Sequence, residues 1–163
     1  MIRELDAAME TLARVVRDTT GCEIASIPYA GATGGLGAGL VAFCRANLVS
    51  GVDYILDAVR FDDALQACDI VLTAEGSLDS QTQQGKAIAG IAARARAHRK
   101  PVHVLAGRLL GNPATLCRTL GLASVRAISP KDLPLADAMT NARQLLNDAT
   151  ELFQTEVRKA RQR

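Results

Sequence analysis

The residues Thr73-Ala74-Glu75-Gly76-Ser77-Leu78-Asp79-Ser80-Gln81-Thr82-Gln83-Gln84-Gly85-Lys86 directly follow the apolar run Ile70-Val71-Leu72. Two carboxylates, several hydroxyls, two glycines and a lysine fall within one short polar stretch. Carboxylates supply metal ligands or a base, a lysine neutralises a transferring anion, and loop amides hold oxygens. Phosphoryl transfer needs that combination. The apolar run predicts a buried strand over 69–74, the polar residues a loop at its carboxyl end, and a helix from about Lys86. Ligands of open α/β sheets bind at the carboxyl ends of strands, where this loop would lie.

Each candidate has a functional and a structural reading. One or both of Glu75 and Asp79 bind Mg²⁺ or accept a substrate hydroxyl proton, or else Glu75 is a solvated loop acid and Asp79 a turn cap; strand-end placement favours function. Gly76 lies between them and offers a loop amide. Thr82, Gly85 and Lys86 read as a phosphate-holding helix N-terminus, or as a cap and a surface cation. The stretch is not a Walker A motif, because Ser80 stands where its first glycine belongs and Ala87 where its Ser/Thr belongs.

A second constellation is the glycine-rich segment 31–39. The amides of Gly31, Gly34, Gly35 and Gly37 are placed to cradle a phosphate or carboxylate; close helix packing explains the same glycines equally well. Gly37, Gly39, Ala42 and Asp57 formally fit a dinucleotide fingerprint. That fingerprint needs a strand directly before the glycines and another ending at the acid, and Asp57 falls in a helical pattern. Gly107 and Arg108 follow a further apolar run, and Arg108 is either a bidentate anion ligand or a surface arginine. His103 reads as a structural residue of the sheet and His98 as a solvated helix-end residue.

These groups must be positioned by regular elements. Apolar spacing predicts a helix over 3–17, a short strand within 22–29 and a glycine loop opening a helix to about 47. A short helix over 52–59 and a turn at Phe61-Asp62-Asp63 follow. From there, short apolar runs at 69–74, 101–106 and 123–128 alternate with helical patterns at 86–98, 112–120 and 135–158. The alternation implies an α/β fold of parallel βαβ units, flavodoxin- or Rossmann-like. Gly121 stands at a helix C-cap position. The composition changes near 66–69, which divides a partial domain, 1–66, carrying the glycine loop, from a βαβ portion, 67–163.

Composition narrows the partners. Aromatic residues make up 3% and the net charge is +2, so stacking platforms and a polyanion-binding field are both lacking, and no nucleic-acid partner is expected. Four cysteines without a C-x-x-C pair give no zinc or redox motif and suit a reducing cytoplasm. No uncharged run approaches the ~20 residues of a membrane span.

Three segments together resemble bacterial glycerate kinases of the type that makes 2-phosphoglycerate. Pro28 to Leu40 resembles their P-G-A-G-A-A-G-G-L-G-A-G-L signature. Asp69 to Ala87 resembles A-D-[LI]-V-[IL]-T-G-E-G-x-[LIF]-D-x-Q-T-x-x-G-K-x, and Pro101 to Arg108 resembles P-V-x-x-[LI]-A-G-x. Order and spacing agree through nearly the whole chain. Tyr29 and Thr33 depart from small residues of the first signature, and Ala74 replaces a glycine of the second.

The resemblance implies ATP-dependent phosphorylation of D-glycerate with Mg²⁺. Asp79 would be metal ligand or base, Glu75 a second ligand or substrate contact, Lys86 a phosphate partner, and the 31–39 loop an amide donor. Family members are roughly twice as long, with two α/β domains. Their K-G-[ST] and G-S-A-T-N-D-G-G-A-G segments do not occur among these residues. The resemblance therefore implies a C-terminal half forming one wall of an interdomain site. Its partner would be an N-terminal half, or a second copy through exposed sheet edge. A non-catalytic remnant and a nucleotide- or dinucleotide-binding module are the competing readings.

Overall fold

The computed structural model describes residues 2–79 and 87–162. Contacts divide the chain into two compact units, Met1–Tyr54 and Ile55–Arg163, a division earlier in the chain than the composition change at 66–69.

In the first unit, α1 (Ile2–Thr20) has Glu4 in its first turn and Arg17 in its last, both favourable to the helix dipole. Gly21, with φ +72°, ends the helix and donates its N–H to the Arg17 carbonyl at 2.8 Å, as a left-handed cap does. The expected strand within 22–29 does not form. The N–H groups of Ile27, Ala30 and Ala32 instead donate to the carbonyls three residues earlier. Successive turns thus satisfy the backbone locally, and no ladder is needed. Val16, Ile24, Ala30 and Ala38 form the buried core. α2 (Ala32–Cys44) contains left-handed residues at Thr33, Gly34 and Gly35 before it becomes regular. It closes at Arg45, whose N–H donates to the Val41 carbonyl. α3 (Gly51–Ala58) contains the point of division.

In the second unit, α4 (Phe61–Ala67) follows the end of α3. The turn expected at Phe61-Asp62-Asp63 is the first turn of this helix, where two acids suit the N-terminal end of the dipole. Three parallel strands follow in the order β1 (Val71–Asp79), β2 (Val102–Leu110), β3 (Ser124–Ala127). The crossovers are α5 (Ala87–Ala97) and α6 (Pro113–Leu120), and α7 (Leu135–Thr140) and α8 (Ala142–Arg161) close the chain. The predicted parallel βαβ fold is therefore present. Asn112 caps α6 by accepting the N–H groups of Ala114 and Thr115, Pro113 fits the first helical position, and Gly121 closes it with φ +68°.

Both long strands outrun their apolar sequence. β1 continues to Asp79 and β2 to Leu110, with Glu75 beside Ala106, Ser77 beside Arg108 and Asp79 beside Leu110. Ladder hydrogen bonds join backbone groups and accept polar side chains wherever a face is open to water. The helical pattern over 135–158 divides at Asn141, whose side-chain amide donates to the Asp137 carbonyl between α7 and α8.

On one sheet face the buried residues Val102, Val104 and Ala106 pack with Ile88, Ala92 and Ala95 of α5 and Leu116 and Leu120 of α6. Alternation sends His103 to the opposite face, where its ring meets Phe153 of α8 at a centroid distance of 5.0 Å. Both Glu156 carboxylate oxygens accept from Arg126 Nη2 at 2.9 Å, and Arg161 pairs with Asp69. These ties fix α8 across the sheet.

Candidate active site

The sheet delivers three sets of polar residues toward the carboxyl ends of its strands. On β1, Glu75 is exposed and Asp79 half-buried. Glu75 Oε1 accepts the N–H of Gly76 at 3.2 Å, so this amide is engaged by the neighbouring carboxylate. Ala74 sits in the ladder beside Leu105 without a positive φ and introduces no strain at Glu75.

Because β1 is extended through Asp79, Glu75 and Asp79 stand about 13 Å apart along it, four residues at ~3.3 Å each. An Mg²⁺ ion with ~2.1 Å bonds does not join carboxylates so placed. The loop expected from residue 73, which would have let both acids share an ion, is strand up to Asp79. Among the described residues no three His, Cys, Asp or Glu side chains cluster as a metal site. A single carboxylate joined by substrate phosphates is a common Mg²⁺ arrangement. Asp79, at the carboxyl end of β1, fits that role better than Glu75, which lies mid-strand. Thr82, Gly85 and Lys86 lie outside the described residues.

On β2, Gly107 and Arg108 are strand residues, not a loop after the strand. A Cβ on Gly107 would lie 2.5 Å from the Gly76 carbonyl oxygen, so glycine is what lets the two strands approach beside the polar segment. Arg108 Nη2 donates to the Leu133 carbonyl at 2.9 Å, tying β2 to the loop after β3. That loop and the β2 end form a groove of about 480 Å³ lined in part by Arg108, Gly111, Ser129 and Lys131. Sequence reasoning did not select Ser129 and Lys131. Their signal is positional only, since Ser129-Pro130-Lys131 follows the third apolar run.

In the first unit the glycine segment divides by role. Gly37 packs against its own unit: a Cβ there would meet the Tyr29 carbonyl oxygen at 3.0 Å and Leu48 at 3.2 Å, which favours the packing reading at this position. Gly34 and Gly35 supply φ of +64° and +89°, and Gly31 has room around it. The two departures from the glycerate kinase signature both occupy left-handed backbone, Tyr29 at φ +68° and Thr33 at φ +53°. Such a conformation costs an L-residue about 1–2 kcal/mol, most plainly the β-branched threonine.

The dinucleotide reading loses its structural basis. No strand precedes the glycines, and Asp57 lies in a helix with its carboxylate taken by Arg94 at 2.5 Å. Arg94 also binds Asp62 at 2.6 Å, and these two acids raise its pKa. His98 is not simply solvated; its Nε2 is 3.1 Å from Asp62 Oδ1. His103 has its pKa lowered by burial, and its Nδ1 lies 2.7 Å from Ser124 Oγ, as a structural histidine would.

The pattern of the glycerate kinase family matches residues 1–157. A glycerate kinase of Halalkalibacterium halodurans is 39% identical over 91% of this chain and 39% of its own length. The glycerate 2-kinase of Escherichia coli is 38% identical over 67% of this chain and 29% of its own length. A crystal structure assigned as glycerate kinase 2 from Salmonella typhimurium LT2 superposes with a TM-score of 0.71 at 31% identity, over 99% of this chain and 41% of that one. The chain thus spans less than half the length of these relatives. With its linked motifs, its βαβ sheet and this match over nearly its full length, the chain belongs to the glycerate kinase family.

Proposed function

We propose that this chain supplies the C-terminal part of an ATP-dependent kinase that converts D-glycerate to 2-phosphoglycerate. The observation that carries the reading is the family match over residues 1–157, joined to the placement of Asp79 at the carboxyl end of β1. In this reading Asp79 orients the substrate hydroxyl and accepts its proton as the phosphoryl group transfers. Alternatively, Asp79 would be the residue that holds Mg²⁺, which would supply neutralisation of phosphate charge. Glu75 holds the β1 backbone through Gly76 and contacts substrate from the strand. Lys86 balances charge on the transferring group, and the amides of the 31–39 segment hold an anionic end of a substrate.

In this reading the remainder of the site is supplied by a part resembling the other portion of the relatives, and self-association through an exposed sheet edge is the alternative. β1 is an edge strand among the described residues and carries the exposed Leu72, an arrangement that invites pairing. No helix among the described residues is long and apolar enough to cross a membrane, and the four cysteines are free; the compartment proposed with this reading is the cytoplasm.

The test is to express the chain together with the N-terminal portion of the Halalkalibacterium relative, supply ATP, Mg²⁺ and D-glycerate, and follow products by ³¹P NMR. Glycerate-dependent ADP with a 2-phosphoglycerate resonance supports the reading. Binding of both substrates without turnover would favour a non-catalytic module instead.

A further inference from the structure

We infer that Arg108, Ser129 and Lys131 line one oxyanion-binding groove at the carboxyl ends of β2 and β3, taking a carboxylate or a phosphate. Which ligand fills it rests on the kinase reading above; the groove itself does not.

The groove encloses about 480 Å³, and its walls are the end of β2, from Arg108 to Gly111, and the segment leaving β3, with Ala127 and Ser129 to Lys131. Among the described residues, both charged residues in that lining are cations and no acid lines it. Cations in a concave site with apolar walls, here Leu109 and Leu110, focus a positive field where an anion would rest. The position, outside the carboxyl ends of adjacent parallel strands, is where such sheets bind ligands.

The lining is also braced. The bond from Arg108 Nη2 to the Leu133 carbonyl holds the guanidinium against the loop. The fork geometry of arginine leaves further N–H groups able to meet two oxygens of one anion. Pro130 fixes its own φ, and its carbonyl accepts the Leu133 N–H at 3.2 Å, closing a turn that carries Lys131. Ser129 adds a half-buried hydroxyl at the same mouth. Two cations and a hydroxyl on braced backbone are thus brought together by two strand ends that are distant in sequence.

The test uses the full chain, ¹⁵N-labelled, titrated at fixed ionic strength with inorganic phosphate, D-glycerate and ADP. Saturable shifts confined to amides of 108–111 and 127–133 are expected. Lys131→Gln should weaken binding about tenfold by removing a charge-assisted contact. Arg108→Lys, which keeps the charge and loses the fork, should weaken it as well. Tighter binding of D-glycerate than ADP assigns the groove to a carboxylate, and the reverse order to phosphate; both support it. Unmoved groove amides, or unchanged affinity in a Lys131→Gln protein with a native spectrum, overturn it. Anion binding in the groove without glycerate phosphorylation by the co-expressed halves would leave the groove standing and remove the kinase reading. Phosphorylation indifferent to Lys131→Gln, with the amides unmoved, would do the opposite.

Discussion

At the scale of the residue, Asp79 and Glu75 carry unequal weight. Both were legible in the sequence as strand-end acids, but their separation was not, because polar residues after an apolar run read equally as loop or as exposed strand. The extended backbone through Asp79 takes Glu75 out of any shared ion site. In an assembled enzyme, Asp79→Asn should lower kcat about 100-fold or more, the range lost with a positioned base, while Glu75→Gln should retain most of it. Steady-state kinetics of the two variants decide this, and equal losses would contradict the assignment. Thr33 offers a separate test. Its left-handed backbone, φ +53°, costs about 1–2 kcal/mol, and glycine restores about 0.5–1 kcal/mol of chain entropy to the unfolded state. Thr33→Gly should therefore stabilise the protein, by up to about 1.5 kcal/mol, in urea unfolding. His103 titrates in the direction that burial dictates. Its folded-state pKa lies below the ordinary 6.5, so the unfolded chain binds the proton first as pH falls. Its contribution is present above pH 6.5 and is lost as pH drops through the folded-state pKa. The melting temperature should fall on acidification below pH 6.5, and His103→Gln should flatten that dependence.

At the scale of the element, the βαβ alternation was readable because buried parallel strands are short apolar runs separated by helical periodicity. The ends of elements were not. The first turn of α4 looked like a loop because Asp62 and Asp63 are turn-formers in the abstract and dipole partners in the fold. The helix division at Asn141 depends on a side-chain bond to Asp137 that leaves the hydrophobic period intact. The close approach of β1 and β2 rests on Gly107, and a Cβ there meets the Gly76 carbonyl oxygen at 2.5 Å. Gly107→Val should destabilise the second unit by about 1–3 kcal/mol, as overpacking does, measured by chemical denaturation. An unchanged midpoint would mean that the strands separate freely there. The groove residues Ser129 and Lys131 escaped sequence reasoning because a short loop between a strand and a turn carries no motif; only the sheet brings it to Arg108.

At the scale of the whole molecule, the chain carries the family's later motifs on a sheet whose first strand is an edge among the described residues. It spans 39% of the Halalkalibacterium relative. Kinase action would draw on the family's other part as well as on these residues, and association through the β1 edge is the behaviour expected of these residues expressed alone. Size-exclusion chromatography with light scattering should show dimers or larger species that shift toward monomer in Leu72→Lys. The most direct test of the central claim is a chimera in which this chain replaces the corresponding C-terminal part of the Halalkalibacterium enzyme. D-glycerate-dependent ADP formation by the chimera is expected, reduced to background in its Asp79→Asn variant. A soluble, cooperatively folding chimera with no turnover above that variant would contradict it.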